Sequence, residues 1–446
     1  MTNRPNIVFI TSHDSGRHFG CYGVPTVRTP AVDGLASDGV KMTSAFSAAP
    51  VCTPSRGAMM SGRWPQTNGL MGLAHAPHHW HYNPGEKHLS HLLRKTGYQT
   101  YLFGFQHETE DPSELGFDDM FGVLPPMPSD TMPDPYAHLP GCETARLFES
   151  FCARQSRSAD TPFYAQVGFF ESHRPFDFAG NEGDDQTGVY LPPIYARDDV
   201  ELQEEFRMLQ GALHLLDQAI GSVLESLDQH GLRENTIVIY TTDHGIDMPR
   251  AKGTLYDLGT EVALLMHWPD GGLSGGRTCD RLVSQTDLTP TLLELIGEEV
   301  PNFMQGQSFA ASLSPEIDEH GEERPYVFTM FHGPGTEIRA VRSKHYKLLR
   351  NFMPGRTLDL PIHNGAPRSA KSLPFVELYD VLRNPTETEN LADNPDYRDV
   401  RDELDAVLLR HMRTVNDPIL RGPIPSPYYL RAKEKFVNLS KVVVQR

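Results

Sequence analysis

The chain has 446 residues, 58 acidic against 40 basic side chains for a formal charge of −18, and 39% hydrophobic content. That length exceeds one ordinary domain, and the apolar share is enough for a sizeable packed core. The acidic balance argues against nucleic acid as a partner, and an anionic substrate would have to meet locally concentrated positive charge. The five cysteines, Cys21, Cys52, Cys142, Cys152 and Cys279, are odd in number and lack CxxC spacing, which excludes a disulfide framework or a zinc ribbon. No run of about 20 apolar residues exists, so no membrane partner is expected. The N-terminus passes straight into an apolar strand without the charged and apolar regions of a leader, and a cytoplasmic protein is expected on that ground.

Asn6 to Ser12 (NIVFITS) reads as a buried parallel strand. Thr29-Pro30 opens a helix, and His88 to Thr96 is another. Gln99 to Phe103 and Pro162 to Phe170 are further strands. From Phe206 to Gly231 apolar residues recur at helical spacing, and Asn235 to Thr241 is a fourth strand. Strands alternating with helices predict an α/β fold on a mostly parallel sheet, whose ligands sit beyond the strand carboxyl ends. Polar residues gather at those ends: His13-Asp14, Gln106-His107, Glu171-Ser172-His173 and Asp243-His244. Ser312 to Pro325 reads as an acidic linker. Beyond it, Tyr326 to Met330, Ile338 to Ser343, Tyr346 to Leu349 and Glu377 to Asp380 predict a small antiparallel sheet, with a closing helix over Asp402 to Val415. Two domains are expected, 1–325 and 326–446.

The segment APVCTPSRGAMMSGRWPQTNG contains Cys52 with Pro two residues on and Arg four residues on, then Ser61-Gly62-Arg63. It resembles the signature of type I sulfatases. PNIVFITSHDSG, TPAVDGLASDG, NTIVIYTTDHG, VSQTDLTPTLLELIG, RAVRSKHYKLL and ELYDVLRNPTETENLA are similar to successive landmarks of that family, from Asn6 to about Ala392. Within the family, QTNGLMGLAHAPHHWH looks most like the heparan N-sulfatase (sulfamidase) branch.

The resemblance implies an alkaline-phosphatase-like fold, a large α/β domain with a smaller C-terminal α+β domain. It implies that a maturation enzyme oxidises Cys52 to formylglycine, whose hydrate attacks sulfur and later expels sulfate by reforming the aldehyde. The family's ligand set carries over to Asp14, Asp243 and Cys52, with His13 and His244 at two further metal positions. Ca²⁺ is the ion the resemblance implies; imidazole ligands would shift preference toward Mn²⁺ or Zn²⁺, and Mg²⁺ is a further candidate. Arg56 matches the arginine beside the nucleophile, Lys252 the sulfate-binding lysine, His107 the histidine that steadies the hydrate, and His173 the histidine near the leaving group. One departure stands out: Phe105 occupies a position where the family has lysine, unless Arg174 or Arg250 restores the charge or Phe105 forms an apolar wall toward substrate. The implied substrate is a small sulfated saccharide, as ester or sulfamate. Alternatives are a phosphonate monoester or phosphodiester hydrolase of the same superfamily, and an inactive binder of sulfated glycans.

Overall fold

The computed structural model describes residues 4–123, 141–155, 161–178, 180–183, 188–313, 323–333, 335–353 and 373–444. The strands are β1 (Asn6–Ser12), β2 (Val40–Met42), β3 (Ala45–Phe46), β4 (Gln99–Gly104), β5 (Asp119–Phe121), β6 (Phe163–Gly168) and β7 (Thr236–Thr242). They continue with β8 (Leu264–His267), β9 (Arg277–Cys279), β10 (Val283–Ser284), β11 (Val327–Gly333), β12 (Thr336–Arg342), β13 (Tyr346–Asn351) and β14 (Val376–Asp380). The large sheet has the order β5-β4-β6-β1-β7-β8-β2-β9. Its first five strands are mutually parallel, whereas β8 runs antiparallel to both neighbours.

Side-chain alternation along β1 explains the layering. Val8 and Ile10 join a core with Leu209, Leu213 and Leu216 of the Val200–Gln229 helix and Phe148 of the Gly141–Gln155 helix. Ile7 and Phe9 point the other way, into a core with Met59 and Met60 of the Cys52–Ser61 helix and Leu288 and Leu292 of the Leu288–Leu295 helix. Each fully buried side chain of this kind is worth about 1.5–3 kcal/mol. The result is a sheet covered on both faces, as the β-branched, alternation-free strands predict. The short strands β2, β3, β5, β8, β9 and β10 escape sequence reading because two to four residues carry no period.

The second sheet, β11-β12-β13-β14, is antiparallel throughout. Val341, Leu348 and Leu378 meet Leu404, Leu408 and Met412 of the Arg398–Thr414 helix. The expected closing helix is therefore present, but the chain continues into a further helix, Pro427–Val444, which sequence reading missed. Of the linker expected from Ser312 to Pro325, residues 314–322 lie outside the described residues. No helix among the described residues is long and apolar enough to cross a membrane.

Ion pairs seal the contact between the two sheets. Asp257 accepts from Arg342 at 3.0 Å and from Lys347 at 2.8 Å, and Lys347 also meets Glu387 at 2.9 Å. Behind β12, Arg339 forms a two-pronged pair with Asp417, both side chains buried. Arg339→Ala is expected to cost about 3–5 kcal/mol, because it strands a buried carboxylate without its charge partner. Urea denaturation would read this as a lowered midpoint; an unchanged midpoint would contradict it.

Candidate active site

Strands β4, β6, β1 and β7 are consecutive in the sheet, so the four polar strand ends lie side by side. Close approach makes this possible: a Cβ on Gly168, the last residue of β6, would sit 1.8 Å from the Phe105 carbonyl oxygen. Only glycine fits there. After β1 the chain turns through Asp14 in the left-handed region, φ 44°. That turn aims the Asp14 N–H at Asp243 Oδ1, 2.9 Å away, and the same oxygen accepts from the His244 N–H at 2.9 Å. The ends of β1 and β7 are thus tied by one carboxylate oxygen.

Around this tie His13, Asp14, Cys52, Asp243 and His244 each offer a ligand atom, all within 4.8 Å of one another and buried. His244 Nδ1 donates to the Gly245 carbonyl at 2.9 Å, which leaves Nε2 as the nitrogen that faces the cluster. That Nε2 faces Asp14 Oδ1 at 3.1 Å and Cys52 Sγ at 3.4 Å. An acceptor nitrogen against a carboxylate oxygen is unfavourable unless a cation lies between them or the ring is protonated. His13 Nδ1 lies 2.8 Å from Asp14 Oδ1 and 3.4 Å from Asp243 Oδ2. It faces into the cluster rather than away. Burial pushes the His13 pKa well below its ordinary value, although Asp243 opposes the shift. The donor set therefore fits a divalent cation held by two carboxylates and two imidazoles, with the fixed Nδ1–H of His244 orienting its ligating nitrogen.

Each carboxylate has its own basic partner. Burial raises the Asp14 pKa, but Lys252, His173 and His244 overcome it and hold the group at about 2. Lys252 Nζ donates to Asp14 Oδ2 at 2.5 Å and to Asp247 at 3.0 Å. Burial likewise raises Asp243, while His244, His13 and Arg56 hold it at about 2. Arg56, itself buried, donates through Nε to Asp243 Oδ2 at 3.1 Å, and through its other nitrogens to Thr11 Oγ1 and the Ser12 carbonyl, both at 3.2 Å. Its visible role is to orient Asp243.

Cys52 opens the Cys52–Ser61 helix, which is buried from end to end. Burial pushes its thiol well above the ordinary value, only partly countered by Lys252. An unmodified Cys52 would be a neutral thiol, a poor nucleophile. Its Sγ marks where an oxygen of a converted side chain would sit. His107 Nε2 bonds His75 Nδ1 at 2.8 Å in stacked rings, and its Nδ1 has no partner among the described residues. His173 Nδ1 donates to the Arg174 carbonyl at 2.6 Å, leaving Nε2 3.8 Å from Asp14 Oδ2. Burial, then Lys252, lowers the His173 pKa.

Phe105 is fully enclosed, with ring centroids 5.0 Å from His13 and 5.1 Å from Phe170, and the Arg56 guanidinium 5.3 Å over its face. It underlies the histidines instead of forming a wall toward substrate. Arg174 is turned to Glu205 at 2.8 Å and to the Asp247 carbonyl at 3.0 Å. Arg250 lies 3.7 Å over Tyr256 and donates to the Glu387 carbonyl. Both arginines thus already have partners.

Sequence reading missed His75, Asp247 and Gln285, whose amide donates to the Thr242 and Asp243 carbonyls at 2.7 and 2.9 Å. His75 and Asp247 carry a signal in hindsight, being polar residues close to the signature and to Lys252. Gln285 lies in the landmark VSQTDLTPTLLELIG, but no role follows from its position there.

A parallel-centred sheet with a buried carboxylate–imidazole cluster at its strand ends places the chain in the alkaline-phosphatase-like fold. The sulfatase family pattern matches residues 5–298, and that of the N-sulphoglucosamine sulphohydrolase C-terminal region matches residues 250–373. The chain belongs to the sulfatase family and is a sulfuric ester hydrolase. It is 29% identical to an ulvan-active sulfatase of Formosa agariphila over 96% of this chain and 84% of that protein. It is 24% identical to human N-sulphoglucosamine sulphohydrolase over 94% and 92%. The fold matches that of a 2-O glycosaminoglycan sulfatase with TM-score 0.73 at 22% identity, covering 95% of both chains.

Proposed function

We propose that the chain hydrolyses a sulfate ester or sulfamate on a carbohydrate, of the N-sulfoglucosamine kind, using formylglycine at Cys52 and one divalent cation. The observation that carries the reading is the convergence of Cys52, Asp14, Asp243, His13 and His244 on one buried point, with Lys252 and His173 at its edge. Relatives named for ulvan and for N-sulphoglucosamine support a sugar as the group released.

When bound, the cation supplies Lewis acidity at the sulfuryl oxygens, and formylglycine supplies an oxygen nucleophile with an internal route for releasing sulfate. The chain's own residues do the rest. Asp243, held by Arg56 and by two backbone N–H groups, keeps the strand ends of β1 and β7 in register. Lys252 keeps Asp14 ionised and brings a positive charge to the rim, where its side chain is 16% exposed. His107 presents a buried Nδ1 without a partner among the described residues, which costs about 1–3 kcal/mol unless a reacting group satisfies it. His173, with Nδ1 spent on Arg174, can release only a proton carried on Nε2. Because its pKa is lowered, that proton is present in a shrinking fraction as pH rises. The two imidazoles favour Mn²⁺ or Zn²⁺ over the Ca²⁺ of the family resemblance, and elemental analysis of the purified protein distinguishes them.

A sulfamate leaves as an amine and needs that proton; an aryl sulfate does not. His173→Ala is expected to slow a sulfamate by about 10²–10⁴-fold and an aryl sulfate much less. N-sulfoglucosamine, 6-O-sulfoglucosamine, an aryl sulfate and a phosphodiester assayed side by side test the whole reading. Turnover of the phosphodiester or aryl sulfate with none of either sugar would overturn it.

A further inference from the structure

A cleft of about 810 Å³ opens where the segment after the Cys52–Ser61 helix meets the antiparallel sheet and the start of the Pro427–Val444 helix. Val51, the residue before Cys52, forms part of its wall. Its volume is typical of small-molecule sites. The histidine-rich run divides around it: His75 turns inward to His107, whereas Trp80 faces the cleft. Trp80 is seated against Gly72, where a Cβ would lie 2.4 Å from the indole nitrogen, and edge-on to His332 with ring centroids 5.1 Å apart. Across the opening, Tyr428 and Tyr429 are 59% and 54% exposed. Arg431 Nη2 anchors their helix to the Pro77 carbonyl at 3.1 Å.

The charge of this cleft is as informative as its rings. Among the described residues, no lysine or arginine lines it. Its one acidic residue, Glu337, is buried and already engaged by His332 Nδ1 at 2.6 Å and Arg339 Nη1 at 3.5 Å. A sulfate group placed here would lose water and meet no lysine or arginine side chain among the described lining residues, Arg431 and Arg339 being spent on Pro77 and Glu337, on a chain that already carries −18. Aromatic faces with hydroxyl and imidazole edges instead suit the apolar C–H face and the hydroxyl rim of a neutral sugar ring. Resting on the carbohydrate reading above, we propose that this cleft holds an uncharged pyranose joined to the sulfated unit. The preferred substrate is then sulfated at the unit being cleaved and unsulfated at its neighbour, not a densely sulfated chain.

The test uses the matured full-length enzyme with three substrates: a sulfated monosaccharide, a disaccharide joining it to an uncharged ring, and the same disaccharide sulfated on that ring. The neutral disaccharide is expected to exceed the monosaccharide in kcat/KM by about tenfold, mainly through KM, and sulfation of the neighbour is expected to erase the gain. Trp80→Ala and Tyr429→Ala should each bring the disaccharide-to-monosaccharide ratio close to one; Tyr429 is exposed, so its variant folds even if the tryptophan variant does not. Equal KM for all three sugars would overturn the cleft assignment while leaving the carbohydrate reading intact, as would faster turnover of the doubly sulfated sugar. Turnover of an aryl sulfate with none of the sugars would overturn both.

Discussion

Cys52→Ala is expected to abolish turnover, with loss of at least about 10⁵-fold, while the thermal midpoint changes little. The alanine keeps the helix start and removes one buried sulfur whose polar neighbours are His244 Nε2 at 3.4 Å and His13 Nδ1 at 3.8 Å. No backbone hydrogen bond depends on it, and Thr53 Oγ1, which donates to the His107 carbonyl at 2.6 Å, still ties the helix start to the end of β4. Activity would vanish for a chemical reason: no other side chain in the cluster can be converted to an aldehyde. Cys52→Ser makes the sharper comparison, since a hydroxyl can attack sulfur but cannot expel sulfate by forming a carbonyl. It is expected to show at most one turnover. Mass spectrometry of the Cys52 peptide from active protein should show the aldehyde. Full steady-state activity in Cys52→Ala would sink the assignment.

Removing a carboxylate should take the metal with it. Asp14→Ala and Asp243→Asn are each expected to lose the bound divalent ion and at least about 10³-fold in activity. Asp243→Asn is the more telling of the two. Its amide oxygen can still accept from the Asp14 and His244 N–H groups, so the tie between β1 and β7 survives while one negative charge disappears. Its Nδ2, however, would face the Arg56 Nε donor at 3.1 Å, and some stability is lost there. In Asp14→Ala the Lys252 ammonium keeps Asp247 at 3.0 Å. Elemental analysis of both proteins, paired with chelation of the parent enzyme, reads the result directly. One equivalent of tightly held metal in both variants would refute the ligand set.

Much of this protein was legible in its residue order. The apolar runs at Asn6–Ser12 and Thr236–Thr242 announce buried strands, and the polar residues that follow them announce a strand-end site, because a parallel sheet can expose polar chemistry only at its edges and ends. The sulfatase signature around Cys52 is local, since Cys52 itself opens the helix. What the tertiary structure alone decided depends on contacts between distant segments. The inward direction of His13 toward Asp243, the pairing of Arg56 with Asp243, and the enclosure of Phe105 against His13 follow from packing across 92 to 230 positions of sequence separation, which no local period encodes. The Trp80–Tyr429 cleft is the clearest case. Its walls come from five stretches separated in sequence, and neither the indole nor the tyrosines show their purpose until the Pro427–Val444 helix folds back beside the antiparallel sheet. Side-chain chemistry is written residue by residue, whereas the direction in which each group points is settled only by close packing of the whole chain.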